Sequence, residues 1–179
     1  CQDTGASRSG WKKIWDDNYS KHNDWIIKAY SIFKKNNKNI KPVLLLSDYG
    51  NDVLQTKILI KSLKLCDDVI WLPKLPRKEL LEIILICDVG IGEFYKTPRT
   101  MWGGAGLEII SCGKPLINSF NFKKGEFFSL FGHNPPDICE ANSIKTLYFW
   151  MNKLANSLEF KKRVGKNNEV WFRKYAGLG

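Results

Sequence analysis

Apolar residues recur along this chain at two spacings, one helical and one extended, and the two alternate. Trp25, Ile26, Ala29, Tyr30 and Phe33 fall on one helical face and predict a helix over 24–33, capped by Asn23 or Asp24, with a polar exit loop over 34–41. The unbroken run Pro42-Val-Leu-Leu-Leu-Ser47 predicts a strand buried on both faces. After a turn over 48–52, the pattern predicts a helix over 53–65 with Leu54, Ile58 and Leu65 inward, beside Leu59 and Leu63. A strand over 69–72, a loop over 73–76, a helix over 77–86 and a strand over 88–92 follow, and a longer loop reaches 100. Then come a glycine-rich loop, a helix stopped by Gly113 and Pro115, and a strand that begins at Leu116 and ends near Ser119. Residues 120–137 read as an aromatic loop, and two helices, over 143–158 and 159–175, close the chain, the first capped by Asn142 or Ser143. Residues 11–19 mix charged and aromatic side chains without a clear period.

Strands alternating with helices over short connections predict an α/β protein, a Rossmann-like parallel sheet with helices on both faces. The length of 179 residues fits one domain over 1–179, with residues 1–7 a truncated or poorly ordered start and 159–179 a basic C-terminal helix. Ligands of such sheets lie beyond the carboxyl ends of the strands, which is where the glycine-rich stretch falls.

Composition narrows the partners. A formal net charge of +10 favours an anionic ligand, whether a nucleotide, a nucleic acid or an acidic membrane surface. Nearly all the excess is lysine, since arginine occurs only at 8, 77, 99, 163 and 173. Sequence-specific nucleic-acid readers rely on the arginine fork, so no nucleic-acid partner is expected. The cysteines Cys1, Cys66, Cys87, Cys112 and Cys139 form no C-x-x-C pair, and the last four lie in apolar contexts. They read as buried, reduced thiols, with spacing unsuited to zinc. No signal peptide or membrane-spanning run is visible, which places the protein in the cytoplasm, with peripheral attachment to a membrane's inner face compatible with its basic surface.

The candidate chemistry centres on Met101-Trp-Gly-Gly-Ala-Gly-Leu-Glu-Ile-Ile-Ser-Cys-Gly-Lys-Pro-Leu-Ile-Asn118. Glycines at a helix start expose backbone N–H groups at the positive end of the dipole, a ready site for phosphate. Glu108, one turn further in, is placed to reach ligand hydroxyls. The same string also reads as a tight αβ corner whose glycines serve packing alone. His22 can donate to a phosphate or simply be exposed, and His133 receives no role. The chain has no G-x-S-x-G, H-E-x-x-H or Walker lysine, which leaves hydrolase, zinc and P-loop chemistry unsupported.

The order of these pieces resembles one family. Arg8, Lys21-x-x-Asp24 and Trp25-Ile-Ile-Lys-Ala-Tyr30 are similar to the arginine and K-G-x-D-x-L-I-x-A signature of retaining glycosyltransferases. Asp68-Val-Ile-Trp-Leu-Pro73, Glu79-Leu80-Leu81 and Cys87-Asp-Val-Gly90 resemble its D-x-V-x-F-L-G, E-L and A-D-V segments. Gly104-Ala-Gly-Leu-Glu-Ile-Ile-Ser-Cys-Gly-Lys-Pro-Leu-Ile117 is similar to G-x-G-L-E-A-M-A-C-G-K-P-V-I. Over residues 8–175 the chain resembles the C-terminal, donor-binding domain of a GT-B, group 1 glycosyltransferase. The resemblance implies that Arg8, Lys21 and the backbone of Gly104, Ala105 and Gly106 grip the pyrophosphate of a UDP- or GDP-sugar. It also implies that Glu108 accepts hydrogen bonds from the ribose and that no cofactor is needed beyond this substrate. The acceptor, such as a lipid-linked or membrane-surface glycan, would be held by an N-terminal domain that is missing here.

Two departures from the family stand out. Its first glutamate of E-x₇-E, which contacts the transferred sugar, is Thr100 here. An insertion carrying Lys12 and Lys13 separates Arg8 from Lys21, and either lysine can replace a member of the pair. A non-catalytic nucleotide- or anion-binding module is the competing reading, and Thr100 favours it.

Overall fold

The computed structural model describes residues 21–177. Arg8, Lys12, Lys13, Cys1 and the stretches 1–7 and 11–19 lie outside the described residues. The elements are α1 (Asn23–Asn36), β1 (Leu44–Ser47), α2 (Val53–Ser62), β2 (Val69–Leu72), α3 (Arg77–Ile86), β3 (Gly90–Ile91), α4 (Gly103–Ser111), β4 (Leu116–Asn118), α5 (Glu126–Phe131), β5 (Ile138–Glu140), α6 (Ile144–Asn156) and α7 (Leu158–Tyr175). Every strand pair is parallel: β1 with β2, and β3 with β4 with β5. The fold is the Rossmann-like α/β arrangement that the alternation predicts.

Strand β4 shows why both faces are covered. Its successive side chains point to opposite sides, so Ile117 joins one core with α1 and α6, while Leu116 joins another with α4 and Phe127. The first core holds Ile27, Tyr30 and Phe33 of α1 against Leu147, Met151 and Leu154 of α6. The second is aromatic, with Phe120, Phe127 and Trp171 each against Trp102, and Phe120 against Phe127.

Several expectations need correction. Helix α1 begins one residue early and ends later: His22, in a left-handed conformation, precedes it with no side-chain cap, and Lys34 and Lys35 form its last turn rather than a loop. In α2 the inward face is Ile60, with Val53, Thr56 and Leu63 at helical spacing. Leu54 and Ile58 therefore point outward, 66% and 62% exposed, whereas Leu65 is buried as expected. Strand β1 is not sealed on both faces among the described residues. Only Leu44 is buried, because Leu45 and Leu46 line a groove of about 810 Å³. Helix α5 and strand β5 arise within or beside the segment read as a loop. At the start of α6, Ser143 is the cap, closed by a reciprocal bond pair with Thr146.

The thiols also differ from expectation, since among the described cysteines only Cys139 is buried. Cys87 and Cys112 are half-buried, and Cys66 is exposed on the turn before β2. Burial pushes the Cys139 thiol up to about 12, leaving on the order of a thousandfold less thiolate at pH 8 than an ordinary cysteine carries. Timed iodoacetamide labelling with peptide mass spectrometry should therefore modify Cys66 well before Cys139. Equal rates would contradict this packing.

Candidate functional site

The site grows from the carboxyl end of β3. Leaving the strand, the chain runs through Glu93 and a loop to α4, and three side chains at and just beyond the end of β4 fasten that loop. Asn118, fully buried, accepts from the Glu93 N–H at 2.8 Å and donates to the Met101 carbonyl at 3.3 Å. Ser119 donates to the Glu93 carbonyl at 3.0 Å and accepts from the Tyr95 N–H at 3.1 Å. Asn121 donates to the Tyr95 and Thr97 carbonyls at 2.7 and 2.9 Å. A loop whose polar backbone is satisfied in this way holds its shape before any ligand arrives.

Lys21 reaches the same place from the other side of the sequence. Its carbonyl accepts from the Phe94 N–H at 3.4 Å, and its ammonium forms an ion pair with Glu93. The bond to Glu93 raises the lysine above its ordinary range, chiefly by favouring the charged form. Tyr95 stands beside both groups, its phenol raised by burial first and by the Glu93 charge second. The second Glu93 oxygen lies over Gly103, 3.6 Å from where a Cβ would sit. One carboxylate thus pairs with the lysine and lies beside the first residue of α4.

Helix α4 begins after Trp102 with no side-chain cap. The glycines lie inside its first turn rather than in a preceding loop. The donors differ from the expected set: the Gly106 N–H already bonds the Trp102 carbonyl at 3.1 Å. The first N–H groups of a helix have no partner within it, which leaves those of Gly103, Gly104 and Ala105. Gly106 serves packing, because a Cβ there would meet Trp102 at 2.6 Å and Leu116 at 3.1 Å. Gly104 is open to solvent, with nothing near its Cβ position.

Glu108 lies further along α4 and faces a different depression, about 370 Å³ in volume, lined with Arg77, Leu107, Ser111, Phe172 and Ala176. Arg77 Nε stands 3.1 Å from Glu108 Oε1. Lys21 instead lines the groove beside β1, so α4 is the element that spans from one sequence-predicted residue to the other. Five residues of helix rise separate Gly103 from Glu108, about 7.5 Å along the axis. Thr100 is buried, and its hydroxyl donates to the Thr97 carbonyl at 2.6 Å. The His22 ring stacks on Trp25 at 4.2 Å, and His133 stacks on Tyr175 at 4.0 Å at the edge of the aromatic core.

Glu93, Tyr95, Arg77, Asn118, Ser119 and Asn121 are the residues that sequence reading missed. A carboxylate immediately after a strand end, and polar residues closing an otherwise apolar strand, are the signals that point to them. Among the described residues no group of three or more His, Cys, Asp or Glu is placed to hold a metal, and no helix is long and apolar enough to cross a membrane.

Comparison with known proteins gives a consistent picture. The model of the family described as "Glycosyl transferases group 1" matches residues 17–169. A search among curated protein sequences returns no match. The structure of WaaG, a glycosyltransferase involved in lipopolysaccharide biosynthesis, aligns with TM-score 0.64 and 14% identity over 87% of this chain and 40% of WaaG. The catalytic domain of cholesterol-alpha-glucosyltransferase from Helicobacter pylori aligns with TM-score 0.64 and 22% identity, over 87% of this chain and 91% of that one. A mutant of S. aureus TarM, in complex with fondaparinux, alpha-GlcNAc-glycerol and UDP, aligns with TM-score 0.66 and 16% identity, over 88% of this chain and 30% of TarM. The chain therefore spans less than half the length of WaaG and of TarM. At these identities the likeness is one of fold.

Proposed function

The chain belongs to the group 1 glycosyltransferases, and from that premise we propose that it is the half of the enzyme that binds a nucleoside-diphosphate sugar. The transferred sugar passes to an acceptor held by an N-terminal domain. The observation that carries this reading is the placing of Lys21 and the uncapped start of α4 on either side of Glu93, just past the carboxyl end of β3. A lysine that stays charged and three N–H groups without a partner in the helix suit a diphosphate. In transfer, the bond between the anomeric carbon and the phosphate oxygen breaks, and its electron pair leaves on the diphosphate. The same donors stabilise that growing charge. Glu108, held by Arg77, accepts from the ribose hydroxyls further along α4. The UDP in the TarM structure is consistent with a uridine donor.

The test is thermal unfolding with UDP, GDP and ADP. At about 100 times Kd, the right nucleotide stabilises by about 2.7 kcal/mol, which raises Tm by about 5–10 °C in a domain of this size. Glu108→Ala should shrink that shift and bring the affinities for UDP and 2′-deoxy-UDP together. If none of the three nucleotides moves Tm, the donor reading fails.

A further inference from the structure

Lys21 and the start of α4 are both suited to an anion, yet the group between them is itself an anion. Its main chain is fixed by three hydrogen bonds, from the Glu93 N–H to Asn118 and to its carbonyl from the Ser119 N–H and hydroxyl. Only the side chain is free to swing, and at 29% exposure it opens to solvent. A diphosphate bound at Lys21 brings no hydrogen-bond donor at neutral pH, and it repels a carboxylate. Glu93, an acceptor only, keeps the Tyr95 phenol beside it, and the capacity that Lys21 vacates turns to a donor on whatever is attached to the diphosphate. In a nucleotide sugar, that attached group is a ring of hydroxyls.

No other side chain of this loop brings a negative charge to the role. Across residues 92–102 Glu93 is the only carboxylate. Thr100 is buried and gives its proton to Thr97. The Asn121 amide is committed to the Tyr95 and Thr97 carbonyls. Resting on the donor reading above, we propose that Glu93 recognises the transferred sugar by accepting a hydrogen bond from one of its hydroxyls, and that Lys21 holds it ready until the diphosphate takes the lysine over.

Two ligand series separate this role from the others. Calorimetric titration of the 179-residue chain uses UDP and GDP in one series and UDP-glucose, UDP-N-acetylglucosamine and GDP-mannose in the other. Glu93→Gln keeps the size and removes the charge. It should leave the affinity for the bare nucleotide unchanged or higher and weaken the favoured nucleotide sugar about tenfold, the scale of a charge-assisted hydrogen bond. Glu93→Asp should recover part of the loss. Equal weakening in both series would make Glu93 a structural residue, and equal strengthening would make it a mere occupant of Lys21. Either result overturns the proposal, as does no change, or a wild-type chain that binds the sugars no better than the bare nucleotides. A wild-type chain that binds neither series defeats the donor reading itself, whereas normal nucleotide binding with an unmoved ratio defeats only the role of Glu93.

Discussion

Replacing Gly165 with alanine is expected to lower Tm by about 5–10 °C, from a loss of about 2–3 kcal/mol. Gly165 is buried in the middle of α7, where that helix crosses the corner between α4 and β4. A Cβ there would lie 2.3 Å from the Gly113 carbonyl oxygen and 3.3 Å from its carbon. These are backbone atoms of a locked turn. Gly113, at φ +66°, donates to Ile110 at 3.0 Å, and Lys114 donates to Ile109 at 3.2 Å. Asn168, one turn further on, is buried and donates to the Lys114 carbonyl at 3.0 Å. The turn cannot retreat because β4 behind it is wholly buried, so α7 must lift away. Alanine's better helix propensity, about 1 kcal/mol, offsets only part of the overpacking. Lys166→Ala, on the exposed side of the same helix, should stay within about 2 °C of wild type. A Gly165→Ala protein as stable as the wild type would show that α7 and the corner are not so close. Because Phe172 of α7 and Ala176 just past its end line the depression at Glu108, the displacement should also weaken nucleotide binding.

How much of this was legible in the sequence depended on how far apart the partners lie. The run over 69–72 and the apolar pattern over 77–86 gave β2 and α3 at their observed bounds, because each is decided locally. In α2 the period failed to choose a face: Leu54, Ile58, Leu59, Ile60 and Leu63 are apolar on several sides, and burial in the core shared with α1 selected Ile60. Helix α5 was hidden by its brevity and its aromatics, although the left-handed Gly125 and Gly132 that bound it are readable punctuation. The run over 101–118 was visible as a site because its residues are contiguous. Glu93 was not, since its partner Lys21 stands 72 positions away and no fixed spacing links them. Gly106 shows the limit within the run, where a glycine that looks like a phosphate donor proves to be a packing residue.

Lys21→Ala should weaken nucleoside-diphosphate binding by about 10- to 100-fold while leaving the fold intact. The lysine side chain is 53% exposed, and an ion pair that open to water adds little to stability, so Tm without ligand should move by no more than about 2 °C. Against a diphosphate the loss is larger, because a charge-assisted bond of about 1.5–3 kcal/mol goes. Glu93 is then left facing the phosphates with no counter-charge, which adds repulsion to the missing attraction. The double variant Lys21→Ala, Glu93→Gln should for that reason bind UDP more tightly than Lys21→Ala alone. Raising salt should cut wild-type affinity more steeply than that of Lys21→Ala, since one screened contact has been removed. Raising pH from 7 to 9 should not release the ligand from the wild type: before binding, the hydrogen bond to Glu93 holds the lysine above its ordinary range, and in the complex the diphosphate's negative charge favours the ammonium in its place. If Lys21→Ala binds nucleotide as the wild type does, the anion is held elsewhere on the domain. In that case the uncapped start of α4 has no cation beside it in the complex.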